Sequence, residues 1–197
     1  MRPAPPRVLW LIIGPNGAGK STYYDTRIRP RLRAEFVNAD RIQAEELPGS
    51  GVQGSYDAAR RAEARRNELL AAGLSFVAET VASHPSKLEL LRSAKALGYD
   101  IWVTFIYLDT PDLAVQRVHR RVRHGGHPVP EDKIRDRYER MVPIAVSAIQ
   151  EADRGFVVDN SDSGHPLRQV LVYDRGRLTW NSKDLPDWTQ RLFPHTT

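Results

Sequence analysis

Eight consecutive residues, Gly14-Pro15-Asn16-Gly17-Ala18-Gly19-Lys20-Ser21, fit the pattern G-x-x-x-x-G-K-[ST]. Glycines at these positions let the backbone turn so that successive N–H groups point inward, a nest for an anion at a helix N-terminus. A lysine there reaches the β- and γ-phosphates of a nucleotide, and the serine hydroxyl ligates Mg²⁺. Pro15, Asn16 and Ala18 complete the loop, and Thr22 offers a further phosphate contact. The alternative is a glycine-rich turn without a ligand, which needs neither the lysine nor the serine.

Two carboxylates follow at points where a parallel sheet would bring them to the same edge. Asp40 comes just after the short apolar segment Phe36-Val37-Asn38, and Glu79 just after Phe76-Val77-Ala78. Ligands of open parallel sheets bind beyond the carboxyl ends of the strands. Asp40 can therefore take the proton of an attacking hydroxyl, or it can simply cap a helix over 41–47. Glu79 can orient Mg²⁺ through water, hold an acceptor together with Thr80, or be a solvated loop acid. Asp109 is another Mg²⁺-side candidate, but Asp109-Thr110-Pro111 reads better as a helix start.

A third group is cationic. On a helix over 111–123, Arg117, Arg120 and Arg121 share one face, and Val115, Val118 and Val122 the other. Beyond Gly125-Gly126, Arg135, Arg137 and Arg140 avoid the apolar face of a second helix. Two basic helices joined by a Gly/Pro loop, about 117–140, fit a lid that closes over phosphates and excludes water. The competing reading is a pair of solvated helices whose acids 131, 132, 136 and 139 neutralise the arginines. His124 and His127 lack the companions of a metal site and suit loop or acceptor contacts.

These groups need an α/β frame. Val8–Ile13 reads as a buried parallel strand and 19–29 as a helix. Further strands are expected at 36–38, 74–78, 101–108 and 155–159, with helices at 55–72, 85–97, 111–123 and 131–141. A loop is expected over Gly49–Gly54 and a kink or break at Pro143. The prediction is a single P-loop NTPase domain of nucleoside- or nucleotide-kinase type over 1–197. Its five-stranded parallel sheet is covered on both faces, and a small hairpin and helix follow at about 168–194.

The 197 residues contain no cysteine, which excludes disulfides, thiolate metal sites and cysteine nucleophiles. No apolar run approaches the length of a membrane span, and the expected compartment is the cytoplasm. Of 29 basic residues 24 are arginines, and the net charge is +5. The surplus lies in 1–34 (net +6) and 117–140 (net +4). Confinement to the phosphate loop arm and the lid points to anion handling at one site rather than a diffuse nucleic-acid face.

The phosphate loop, Asn38-Ala39-Asp40-Arg41, Ala78-Glu79-Thr80, Leu113-Ala-Val-Gln-Arg117-Val118, Gly125-Gly126-His127-Pro-Val-Pro, Ile134-Arg-Asp-Arg-Tyr138 and Asp159-Asn160-Ser161 together resemble the zeta toxin-like P-loop kinases over about 8–162. The resemblance implies ATP or GTP with Mg²⁺. It also implies Asp40 as catalytic aspartate, Lys20 and Ser21 as phosphate and metal residues, and Arg117 with a nearby lid arginine, Arg121, as cations at the transferred phosphate. By the same resemblance Asn160 helps seat the base; Arg41, Glu79, Thr80 and His127 are the candidate acceptor-side residues. Zeta toxins phosphorylate UDP-N-acetylglucosamine, which makes a sugar nucleotide the leading acceptor and an antitoxin protein a possible partner. After Glu79 this chain has Thr80-Val81-Ala82-Ser83-His84 instead of a Gly-Thr-Gly-Arg-like stretch. The alternatives are a nucleic-acid-end or nucleoside kinase, and a nucleotide-binding regulatory partner without transfer activity.

Overall fold

The computed structural model describes residues 6–126 and 128–194. The chain runs β1 (Val8–Ile13), α1 (Lys20–Tyr23, continued as a π-turn over Tyr24–Ile28), β2 (Glu35–Val37), α2 (Ala39–Glu46), α3 (Gly51–Ala71), β3 (Phe76–Thr80) and α4 (Ser86–Ala96). It continues through β4 (Asp100–Tyr107), α5 (Pro111–Arg123), α6 (Glu131–Glu151), β5 (Arg154–Asp159), β6 (Arg168–Asp174), β7 (Arg177–Asn181) and α7 (Asp187–Leu192).

One sheet organises the molecule, in the order β2-β3-β1-β4-β5-β6-β7. Its first five strands are parallel, as expected. The C-terminal hairpin is not a separate appendage: β6 pairs antiparallel with β5 and extends the same sheet to seven strands. Arg175 and Gly176 both take positive φ at its turn, as the twist of a two-residue hairpin requires.

Alternation along β1 builds two cores. Leu9, Leu11 and Ile13 face one side, with Phe76, Phe105, Leu91 and Met141. Val8, Trp10 and Ile12 face the other, with Tyr23, Ile28, Val118 and Tyr138. Each fully buried side chain of this kind contributes about 1.5–3 kcal/mol.

Several boundaries differ from the sequence expectation. The third strand starts later, at Phe76, and includes Glu79 and Thr80, which lie opposite Ile12 and Ile13 of β1. Leu74 is left exposed, and the Ser75 hydroxyl accepts from the Val8 amide. Gly51–Gly54 is the first turn of α3, not a loop. The Gln43 side chain donates to the Gly51 carbonyl (2.9 Å), and a Cβ at Gly54 would overlap Ser50. Pro143 does not break α6, because it lies on the solvent side while Met141, Ala145, Ala148 and Ile149 keep the buried face continuous. The carbonyl that loses its partner to proline can there bond to water. No helix among the described residues is long and apolar enough to cross a membrane.

Candidate active site

The phosphate loop leaves β1 at Gly14 and enters α1 at Lys20. Gly17 and Gly19 have φ of 76° and 84°, a conformation that favours glycine. Their missing side chains also admit neighbours. A Cβ at Gly17 would stand 2.9 Å from the Arg117 Cβ, and one at Gly19 would stand 2.9 Å from Asn160 Nδ2. The loop is therefore shaped against the lid helix on one side and the end of β5 on the other.

Lys20 is buried, with 7% exposure, and its Nζ donates to the carbonyls of Gly14 and Pro15 at 3.0 Å each. Glu79 Oε1 is 3.7 Å from the same nitrogen. Glu79 Oε2 accepts from Ser21 Oγ at 2.8 Å and from Asn38 Nδ2 at 2.7 Å. The strand register explains this meeting. Glu79 pairs with Ile12, two residues before Gly14, while Asn38 follows Val37, which pairs with Ala78.

Asn38, not Asp40, caps α2: its Oδ1 accepts from the Arg41 amide at 3.1 Å. The capping alternative for Asp40 is thus taken by a neighbour. The Asp40 side chain is 67% exposed at the cleft, with Arg121 Nη1 3.6 Å from its Oδ2.

The cleft itself has a volume of about 510 Å³ and is lined by Asn16 to Thr22, Asp40, Glu79, Thr80, Arg117, Arg121 and Arg137, among others. Burial pushes the Arg117 guanidinium pKa down, and the charge of Asp159 partly opposes this. Lid arginines divide into two sets. Arg117, Arg121 and Arg137 face the cleft, whereas Arg120 and Arg123 line a neighbouring groove. Arg135 pairs with Asp112 at 2.6 Å and Arg140 with Asp136. Arg140 pairs as the solvated-helix reading expects, whereas the partner of Arg135 is an acid of α5 that this reading does not include.

Other expected residues fall elsewhere. Arg41 turns away from the cleft, bound to both carboxylate oxygens of Asp25 (3.0 and 2.9 Å) and lying over the stacked rings of Tyr24 and Phe36. That commitment removes it from the acceptor side. Thr80 lines the cleft, but its hydroxyl accepts from the Ala82 amide at 3.0 Å. Asn160 spends its amide on the scaffold, with Nδ2 donating to the Ala18 carbonyl (2.8 Å) and Oδ1 accepting from the Leu167 amide (3.0 Å). His127 lies outside the described residues.

Asn38, Arg66 and Lys87 also line the cleft and were not singled out from sequence. A signal existed for Arg66: it falls on the buried stripe Gly54, Ala58, Ala62, Arg66, Leu70 of α3. A cation on an apolar stripe invites a functional explanation.

A family model described as an AAA domain (AAA_33) matches residues 9–144. The chain belongs to this AAA domain family. The match takes in every cleft residue named above. An uncharacterised protein of Haemophilus influenzae is 26% identical over 125 residues, which is 64% of this chain and 88% of that one. Among solved structures, the AAA domain is similar to a chain of the PezAT chromosomal toxin-antitoxin system of Streptococcus pneumoniae. There the TM-score is 0.65 at 15% identity, covering 97% of this chain and 84% of that one. A complex of AvrRxo1-ORF1 and -ORF2 with ATP gives a TM-score of 0.69 at 14% identity, covering 88% of this chain and 60% of that one. A chain of the Pnkp1/Rnl/Hen1 RNA repair complex gives 0.57 at 20% identity, covering 71% and 45%. This chain thus spans less than two thirds of the last two. At these identities the likeness is one of fold, and the fold is of P-loop NTPase type.

Proposed function

We propose that this chain is a Mg²⁺-dependent phosphotransferase that moves the γ-phosphoryl group of ATP or GTP to a hydroxyl of a small molecule. UDP-N-acetylglucosamine is the leading candidate acceptor. One observation carries the reading: a complete phosphate loop, an exposed Asp40 and three lid arginines line the same cleft. The likeness to a toxin-antitoxin chain and to a complex with ATP supports it.

The residues present suit Mg²⁺. A serine hydroxyl and a carboxylate 2.8 Å apart are hard oxygen donors, and Mg²⁺ is commonly held by one or two carboxylates plus substrate phosphates. When bound, the ion neutralises charge on the phosphate oxygens. Two donors of Lys20 Nζ hold the loop carbonyls, and the third is left for a phosphate oxygen. Asp40 accepts the proton of the acceptor hydroxyl as the new O–P bond forms and the bond to the β-phosphate bridging oxygen breaks, which releases ADP or GDP. Arg117, Arg121 and Arg137 place positive charge around the transferred group. A nucleoside triphosphate as co-substrate suits a cytoplasmic protein.

Incubation with labelled ATP and a panel of sugar nucleotides, nucleosides and aminoglycosides tests the reading. Transfer to at least one acceptor is expected. ATP binding with no product from any of them rejects it. A second reading, a nucleic-acid-end kinase, is favoured by the net charge of +5 and the likeness to a chain of an RNA repair complex. Tight RNA or DNA binding that weakens steeply with salt would select it. Slow ATP turnover with a stable protein partner in a pull-down would instead favour a regulatory role in a toxin-antitoxin pair.

A further inference from the structure

Two cations of the cleft belong neither to the phosphate loop nor to the lid. Arg66 stands on α3 and Lys87 in the first turn of α4, and both line the cleft that holds Lys20, Asp40 and Glu79. Arg66 is only 8% exposed. Among the described residues, neither side chain donates a hydrogen bond or meets a carboxylate within 4 Å. Other α3 arginines differ: Arg60, Arg61 and Arg65 each hold an acid at the surface. Glu63 also lines the cleft, and its charge acts on both cations, but from beyond ion-pair distance.

Burial pushes both pKa values down, and the charge of Arg66 pushes that of Lys87 down further. Two like charges are therefore close enough to repel inside a partly dry cleft. A buried charge without a partner is unfavourable for stability, so the arrangement makes sense as one completed by a ligand. An oxyanion supplies what both cations lack: negative charge and several acceptor oxygens.

We propose that Arg66 and Lys87 form a second anion-binding subsite, which holds a phosphate group of the phosphoryl acceptor away from its reacting hydroxyl. The acceptor is then a phosphorylated hydroxyl compound and not a neutral one. This inference rests on the kinase reading above, but its test separates from it.

The phosphate loop is first filled with a non-hydrolysable ATP analogue and Mg²⁺. Inorganic phosphate is then titrated by calorimetry into the full chain. One further site is expected, weakened at least ten-fold by Lys87→Gln and by Arg66→Gln and largely restored in Arg66→Lys. Affinity for the ATP analogue should stay within two-fold. If Arg66→Gln fails to fold, Lys87→Gln decides. Absence of phosphate binding, or equal binding in wild type and Lys87→Gln, overturns the proposal. In a transfer assay, Lys87→Gln should raise KM for UDP-N-acetylglucosamine at least ten-fold and leave KM for ATP within two-fold. Equal effects on both overturn it too. If no acceptor is phosphorylated, the kinase reading fails, while the phosphate titration still decides the subsite.

Discussion

Ser21 and Glu79, 58 positions apart, are joined by a 2.8 Å hydrogen bond from the serine hydroxyl to Oε2 of the carboxylate. Asn38 donates to the same oxygen at 2.7 Å and caps α2 with its own Oδ1. The Ser21–Glu79 pair is thereby tied to the helix that carries Asp40. Glu79→Gln keeps the shape but replaces a charged acceptor with a neutral amide. Apparent Mg²⁺ affinity should fall on the order of 10–100-fold, read from the Mg²⁺ dependence of phosphoryl transfer. An unchanged Mg²⁺ titration would remove Glu79 from the metal side.

Asp40→Asn should leave nucleotide affinity within two-fold, since the side chain is exposed and does not cap the helix. Transfer should drop by about 10²–10⁴, the range for losing a general base. Single-turnover kinetics beside equilibrium nucleotide binding separates the two quantities, and wild-type turnover in the variant would dismiss the role.

The lid arginines make a paired test. Arg117→Ala should lower the transfer rate by about 10²–10³, as expected for removing a charge-stabilising donor at a phosphoryl group. Arg120→Ala, on the neighbouring groove, should change it less than two-fold. Comparable losses in both variants would mean that the segment acts only through its net charge.

Gly17→Ala places a methyl 2.9 Å from the Arg117 Cβ at a φ of 76°. The left-handed conformation alone costs an alanine about 1–2 kcal/mol. Lower thermal stability and weaker nucleotide binding are expected together. An alanine variant with unchanged melting temperature and affinity would contradict the packing described for the loop.

Burial pushes the Tyr173 hydroxyl up to about 12. The folded state keeps this proton when the unfolded chain has lost it near pH 10. The resulting stability is fully present below pH 10 and is lost as pH rises from there through about 12. Urea unfolding at pH 8 and pH 11 should show a smaller alkaline loss in Tyr173→Phe than in wild type. Identical losses would assign the effect to other groups.

What the sequence revealed about the site depended on distance along the chain. The phosphate loop is local, since its glycines, Lys20 and Ser21 act within one strand-to-helix turn. Asp40 and Glu79 were found because both follow short apolar strands, and strand ends converge in a parallel sheet. Arg41 misled because its partners, Asp25, Tyr24 and Phe36, gather only in three dimensions. The division among lid arginines was hidden for the same reason: Arg135 is neutralised by Asp112, which is on a different helix. Pro143 was over-read as a stop, since its effect depends on which face of α6 it occupies. The start of α3 was missed because Gly51 and Gly54 owe their helical state to contacts with α2.

Lys20 carries a long, flexible side chain, and ordering such a stem costs up to about 2 kcal/mol of rotamer entropy. Its two bonds to the Gly14 and Pro15 carbonyls fix that stem within the fold itself. The loss of freedom is incurred when the chain folds, so less of the phosphate interaction is consumed in ordering the residue that makes it. On the proposed function, the phosphate meets a lysine that the fold already holds in place.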